Sequence, residues 1–209
     1  MWHKVSPISF RIPYVKSWKS SWFADKKTYS ETLSLDIKAR DILKKEMNWI
    51  PIWDIVVSKT QENISIVIYT AKSALILGKT WENLERLEVL LTRKLWFTTK
   101  LSVKEIKKPD LNAKVVWFMV SNQIEKRMPY KRAIKQAISK AMEKWAGWIK
   151  IKVWWRLNWA EIARKETFKQ WNIPTQTIRS DIDYASVRAE TIYGTIWLKV
   201  WIYKWQIYK

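Results

Sequence analysis

Residues 75–87, Leu-Ile-Leu-Gly-Lys-Thr-Trp-Glu-Asn-Leu-Glu-Arg-Leu, constrain the fold of this chain more than any other stretch. They read as a short apolar helix, a tight basic turn at Gly78-Lys79-Thr80-Trp81, and a second, amphipathic helix. Leu84, Leu87, Leu91 and Leu95 recur on the helical period, so the second helix has one apolar face that another element must cover. Glycine takes left-handed backbone freely, and Gly78 opens the turn. Trp81 closes it, where a side chain with no bulk is expected.

Charge narrows the partner. The chain has 209 residues, enough for one large domain or two small ones, with 39 Lys and Arg against 19 Asp and Glu, a net charge of +20. Such an excess adds self-repulsion, and a polyanionic partner offsets it. The cations run from Lys4 to Lys209 without a basic tail, which points to a folded protein embedded in nucleic acid. Cysteine is absent and His3 is the single histidine. That removes disulfides, Ser-His-Asp and Cys-His catalysis and most zinc sites, so neither an enzyme nor a bound metal or cofactor is expected. The longest clean apolar run, Val115 to Val120, is six residues, against roughly 18 for a membrane helix. Lys4 is followed by Ser, Pro and Arg11 instead of an apolar core, so no signal peptide is visible and a cytoplasmic location is expected.

Taken in order, residues 1–24 carry Pro7 and Pro13 and little periodicity, and read as an extended arm lying on a partner. Thr28 and Glu31 have capping-box spacing before a helix with Leu35, Ala39, Ile42, Leu43 and Met47 on one face. Residues 54–59 and 63–70 read as strands around a turn at Thr60-Gln61-Glu62, with Ile64, Ile66 and Ile68 alternating. The helix-turn-helix stretch follows, then a strand at 100–106 with Leu101 and Val103 inward. Helix, strand, strand, helix, Gly-x-x turn, helix, strand is the order of a type II KH domain, assigned here to residues 25–107. In KH domains a Gly-x-x-Gly turn clamps nucleic-acid backbone.

Lys107-Lys108-Pro109-Asp110 marks a boundary, with Asp110 able to cap a new helix. Residues 108–209 then read as an α+β domain: helices over 111–127 and 129–144, and strands over 148–155, 160–170, 175–184 and 191–203. The expected architecture is two helices on one face of a mostly antiparallel sheet. Lys131, Arg132 and Lys135 cluster at the start of the second helix, outside or at the edge of its apolar arc, as phosphate contacts.

Two catalytic motifs fail on inspection. Gly78-Lys79-Thr80 resembles the end of a P-loop, but Ser73 stands where the first glycine is needed. Asp181 and Asp183 share a strand face, as Mg²⁺ ligands would, but no third acid supports them, and pairing with Arg179 and Arg188 is expected.

Six segments carry a wider resemblance: Met1-Trp2-His3-Lys4-Val5-Ser6-Pro7, Ser21-Trp22-Phe23-Ala24, Lys108-Pro109-Asp110-Leu111-Asn112-Ala113, the stretch Arg156 to Arg164 (RLNWAEIAR), Arg179-Ser180-Asp181-Ile182-Asp183-Tyr184, and Tyr193 to Ile202 (YGTIWLKVWI). In this order they resemble the bacterial small-subunit ribosomal protein S-three family essentially end to end. The resemblance implies a structural protein of the small-subunit head that binds small-subunit rRNA. It implies neighbours S-ten and S-fourteen in the head, and S-four and S-five where mRNA enters. There Lys131, Arg132 and Lys135 would face incoming mRNA and help unwind it. The KH turn, Gly78, Lys79, Thr80 and Trp81, would meet RNA, and Lys4, Arg11, Arg127, Arg156, Arg164 and Arg179 are candidate rRNA contacts. A free-standing KH-domain RNA-binding protein or RNA chaperone is the alternative.

The departures from the family are nearly all of one kind. Tryptophan stands where the family has glycine at 2, 81, 145, 148, 155, 159, 171, 197 and 205, and in turns or variable places at 49, 53, 96, 117 and 154. Only Trp18, Trp22 and Trp201 match family tryptophans. The chain has 17 Trp and 3 Gly, where about 15 glycines are ordinary for this length. Restoring all fourteen exchanges the two counts. Repeated replacement of glycine by the bulkiest residue fits a source that reads UGA as glycine, with its gene translated under the tryptophan code. The rival account, real tryptophans stacking on RNA bases, predicts them on exposed strand faces and not in turns.

Overall fold

The computed structural model describes residues 5–12, 14–60, 63–78, 81–192 and 194–208. They form two compact units, one of residues 18–107 and one of residues 108–208 together with 5–17. Among the described residues no helix is long and apolar enough to cross a membrane.

The first unit runs β1 Ser20–Ser21, α1 Tyr29–Glu46, β2 Ile52–Lys59, β3 Asn63–Thr70, α2 Ser73–Leu77, α3 Glu82–Leu95 and β4 Thr98–Glu105. Its sheet order is β1-β2-β3-β4; β2 and β3 are antiparallel, and β3 and β4 parallel. Period-two alternation puts Ile64, Ile66 and Ile68 on one face, all fully buried. Ala39 and Leu43 of α1, Met47 at its C-cap, and Leu84, Leu91 and Leu95 of α3 complete that core, with Leu87 packed at its margin. The Thr28 capping box does not form. Thr28 occupies the N-cap position without a side-chain cap, and its hydroxyl donates back to the Asp25 carbonyl at 3.4 Å. The turn residues Gln61 and Glu62 lie outside the described residues.

The second unit contains a 3-10 turn Pro109–Leu111, α4 Ala113–Glu125, α5 Tyr130–Glu143, β5 Trp148–Trp155, β6 Arg164–Gln170, β7 Ser180–Thr191 and β8 Gly194–Gln206. The sheet order is β6-β5-β8-β7, antiparallel throughout. Ile149, Ile151, Val153, Leu198, Val200 and Ile202 are fully buried, and the sheet face they form packs with Val116, Val120, Ala133 and Ile134 of the two helices. The fold is therefore α+β, with a KH domain followed by two helices over an antiparallel sheet.

Several expectations are corrected. Residues 5–17 are not an extended arm. Ser9–Arg11 is a 3-10 turn, and Arg11 is fully buried in the second unit. Its guanidinium donates to the carbonyls of Ser180 (2.8 Å), Pro7 (2.9 Å), Thr175 (2.8 Å), Thr177 (3.1 Å) and Pro174 (3.4 Å). Those bonds also explain why 175–179 is not strand: its carbonyls are met by a side chain instead of a neighbouring strand. Burial pulls the guanidinium pKa down, and the nearby Asp181 carboxylate opposes that. Residues 18–24 belong to the KH unit. Arg40 donates to the Lys19 carbonyl (2.9 Å) and to Ser20 Oγ (2.8 Å), tying β1 to α1.

The β-rich C-terminal third divides differently as well. One long hairpin, β7 and β8, closes at Thr191 and Gly194. Asp110 does not cap α4. The Ala113 amide donates to Asp183 Oδ2 at 2.9 Å, from 70 residues away. Asp181 pairs with Lys16 (2.6 Å) and Arg188 with Glu190 (3.1 Å), while Arg179 lies over the Tyr208 ring at 5.2 Å.

Candidate nucleic-acid interface

The KH turn is built by backbone conformation. Gly78 has φ 75°, and a Cβ there would meet Asn83 Nδ2 at 2.8 Å, so only glycine fits. Trp81 is the N-cap of α3 in left-handed conformation, φ 63°, and its carbonyl accepts from the amides of Leu84 (3.0 Å) and Glu85 (3.1 Å). Its indole is 60% exposed, so packing does not compensate for the conformation. Lys79 and Thr80 lie outside the described residues, as does Lys4.

The second basic site sits where α4 turns into α5. Helix α4 ends in a Schellman arrangement: the Arg127 amide bonds the Ile124 carbonyl (2.9 Å) and the Met128 amide that of Gln123 (3.0 Å). Arg127 therefore takes φ 64°, a conformation that favours glycine, with its side chain exposed. Pro129 then opens α5, whose inward residues Ala133 and Ile134 are buried while Lys131, Arg132 and Lys135 are exposed. No acid stands in the first turn of α5. Cations there oppose the helix dipole by about 0.3–1 kcal/mol each, so they do not serve folding. Tyr130 fixes the helix start: it is buried, and its Oη donates to Glu166 Oε1 at 3.0 Å. Burial, and then that hydrogen bond, raise its pKa. Arg164 is near enough for its charge to act on the same phenol, so it joins the α5 group. Arg156 is exposed elsewhere, its Nε donating to the Ala160 carbonyl at 3.2 Å, and Arg179 is exposed beside Tyr208. Arg11 leaves the set of RNA contacts, because its guanidinium is fully buried and turned onto five carbonyls, out of reach of phosphate.

A third basic surface escaped the sequence reading. On the sheet face away from the helices, cross-strand pairing aligns Lys169, Lys150, Trp201 and Tyr184 in one row. The next row is Thr167, Lys152, Lys199 and Ser186, and the third is Lys165, Trp154, Trp197 and Arg188. The alternation of Lys150 and Lys152 with buried neighbours was visible in the sequence. The register that brings β6 and β8 cations beside them was not.

Carboxylates do not gather for catalysis. Among the described residues no group of three or more His, Asp or Glu could hold a metal ion. Asp181 and Asp183 are committed to Lys16 and to the α4 amide.

A KH fold with a basic helix start and a basic sheet face defines a nucleic-acid-binding protein. A family model described as "KH domain" matches residues 38–111, and one described as "Ribosomal protein S3, C-terminal domain" matches 120–202. The chain is 40% identical over 207 residues to small ribosomal subunit protein uS3 of Hahella chejuensis, covering 99% of this chain and 91% of that protein. It is 40% identical over 204 residues to the uS3 protein of Hydrogenovibrio crunogenus (98% and 90%), and 39% identical over 209 residues to that of Methylococcus capsulatus (100% and 94%). The chain belongs to the small ribosomal subunit protein uS3 family, a family of structural, non-enzymatic ribosomal proteins.

Proposed function

We propose that this chain sits in the head of the small ribosomal subunit, beside proteins S-ten and S-fourteen. With S-four and S-five it lines the channel by which mRNA enters. Lys131, Arg132 and Lys135 face the incoming strand and favour its unpaired form. Arg127, Arg156, Arg164 and Arg179, with Lys4, contact small-subunit rRNA. The observation that carries this reading is the start of α5: two exposed cations, Lys131 and Arg132, set against the helix dipole with no acid in the first turn, and the exposed Lys135 one turn on. A polyanion laid against them offsets that unfavourable placement. The test is translation of mRNAs with and without a stable hairpin, on ribosomes carrying Lys131→Ala, Arg132→Ala and Lys135→Ala together. Expected is slowed translation of the structured message with normal subunit assembly. Lost assembly with normal unwinding overturns the assignment.

We infer further that the chain the organism makes carries glycine at the left-handed tryptophan positions. Eight described non-glycine residues have positive φ, and six are tryptophan: Trp81, Trp96, Trp145, Trp155, Trp159 and Trp171. None of the three family-matching tryptophans is among them. Trp145 shows the logic. Its amide bonds the Met142 carbonyl and that of Ala146 the Ala141 carbonyl, both at 3.0 Å, the Schellman pattern whose left-handed residue is usually glycine. Left-handed backbone costs about 1–2 kcal/mol for a residue with a Cβ, so six sites forfeit about 6 kcal/mol or more. Total stability is about 5–15 kcal/mol. Trp96, Trp145 and Trp171 are at least 70% exposed and recover little by burial. Of the other eight nominated positions, Trp2 lies outside the described residues, and seven have backbone that any residue adopts. With glycine at 81 the KH turn becomes Gly-Lys-Thr-Gly, open to a phosphate backbone. Peptide mass spectrometry of the native protein decides the matter: glycyl peptides at these six sites are expected, and tryptophanyl peptides overturn the inference.

A further inference from the structure

The outer face of the second unit's sheet concentrates positive charge along neighbouring cross-strand rows. Its three central rows hold six cations, Lys150, Lys152, Lys165, Lys169, Lys199 and Arg188, and no carboxylate. Trp201 lies among them. Lys150 Nζ is 5.6 Å and Lys152 Nζ 5.9 Å from its ring centroid, and Tyr184 lies beside it at 5.2 Å between centroids. Residues on one strand face stand about 7 Å apart, and neighbouring strands about 5 Å. The cations therefore form a dense array with an aromatic pair, Trp201 and Tyr184, at one end of it. Like charges at this density repel one another, and only a polyanion laid across the rows turns that repulsion into binding.

We propose that this face is a second RNA site, taking an unpaired RNA segment whose base stacks in the Trp201–Tyr184 region while Lys150, Lys152 and Lys199 meet its phosphates. The aromatic pair selects RNA over an acidic protein, because a nucleobase supplies a planar ring and adjacent phosphates together. The lysines that lie over Trp201 in the free chain are flexible cations, and they swing to phosphate as a base takes the ring face. The site uses Trp201, Tyr184 and the lysines, so it stands whether positions 148, 154 and 197 are tryptophan or glycine. The proposal rests on the RNA-binding character of the family and is separate from the α5 cations.

The test is fluorescence anisotropy of a short labelled oligouridylate with the full-length chain across a salt series. Trp201→Leu is expected to weaken binding about tenfold, and Trp201→Phe to retain most of it. Lys150→Gln, Lys152→Gln and Lys199→Gln together are expected to flatten the slope of log K against log salt by about 2. These three side chains are partly exposed, so the lysine variant remains decisive if Trp201→Leu fails to fold. Unchanged affinity in Trp201→Leu together with an unchanged salt slope in the lysine variant overturns the site. So does a polyglutamate peptide that competes as well as the oligouridylate, which would make the face a protein-docking surface. Co-sedimentation with the small subunit reads the ribosomal assignment separately. If it fails while Trp201-dependent binding persists, that assignment falls and the sheet site stands.

Discussion

Helices α3 and α5 are near twins with opposite ends. Each has 14 residues, each buries one apolar face on its unit's sheet, and each is followed by a left-handed tryptophan, Trp96 directly after α3 and Trp145 one residue beyond the cap of α5. They differ in the first turn. Helix α3 begins with Glu82 and Glu85, which complement the dipole, while α5 begins with cations and no acid. The first turn of α3 serves folding, whereas that of α5 carries charge that works against its own dipole. The units differ in the same way elsewhere. The second unit holds a fully buried arginine and a carboxylate cap from a distant strand, both structural, and carries a lysine-rich outer sheet face.

The largest effect should come from Arg11→Met, which strips five carbonyls of their buried donor. Denaturant unfolding should show the second unit weakened by about 3–5 kcal/mol. Lys19→Met, which removes a half-exposed pair with Asp54 (2.9 Å) in the KH unit, should change stability by less than about 1 kcal/mol. Equal losses would erase the contrast between the units. Next comes the chain produced with tryptophan at these positions: replacing Trp96, Trp145 and Trp171 by Gly together should raise its stability by about 3 kcal/mol in thermal unfolding. A loss instead would mean those indoles pack in a way their exposure denies.

Asp183→Ala should cost about 1–2 kcal/mol through the lost α4 cap, and hydrogen exchange should locate the loosening at the first turn of α4. The smallest change sharpens the twin comparison most. Lys131→Gln with Arg132→Gln should raise stability by about 0.6 kcal/mol or a little more, while Glu82→Gln with Glu85→Gln should lower it by a similar amount. The first pair should also flatten the salt dependence of RNA binding by about 1.4, and the second should not.

Periodicity made the helices and the core legible. Leu84, Leu91 and Leu95, Ala133 and Ile134, and the isoleucines of β3 and β5 all sit inside because side-chain direction follows from local backbone repeat alone. The α5 cations were legible for the same reason, since a residue outside the apolar arc of a helix faces solvent. The boundaries of β6, β7 and β8 were not, because β-branched composition does not say whose carbonyls meet whose amides. Arg11 looked like another surface cation, because nothing within its own segment announces that 174–180 will fold around it.

The sequence by itself determined the polyanionic partner, the two-domain order, the basic start of α5 and the anomaly of tryptophan for glycine, all properties of composition and short spacing. Tertiary structure alone decided that Asp183 caps α4, that Arg11 is structural, that six cations share one sheet face with Trp201, and that six of the tryptophans stand on left-handed backbone. Each of these is a long-range pairing or a backbone angle, and both are set only when distant segments close on one another.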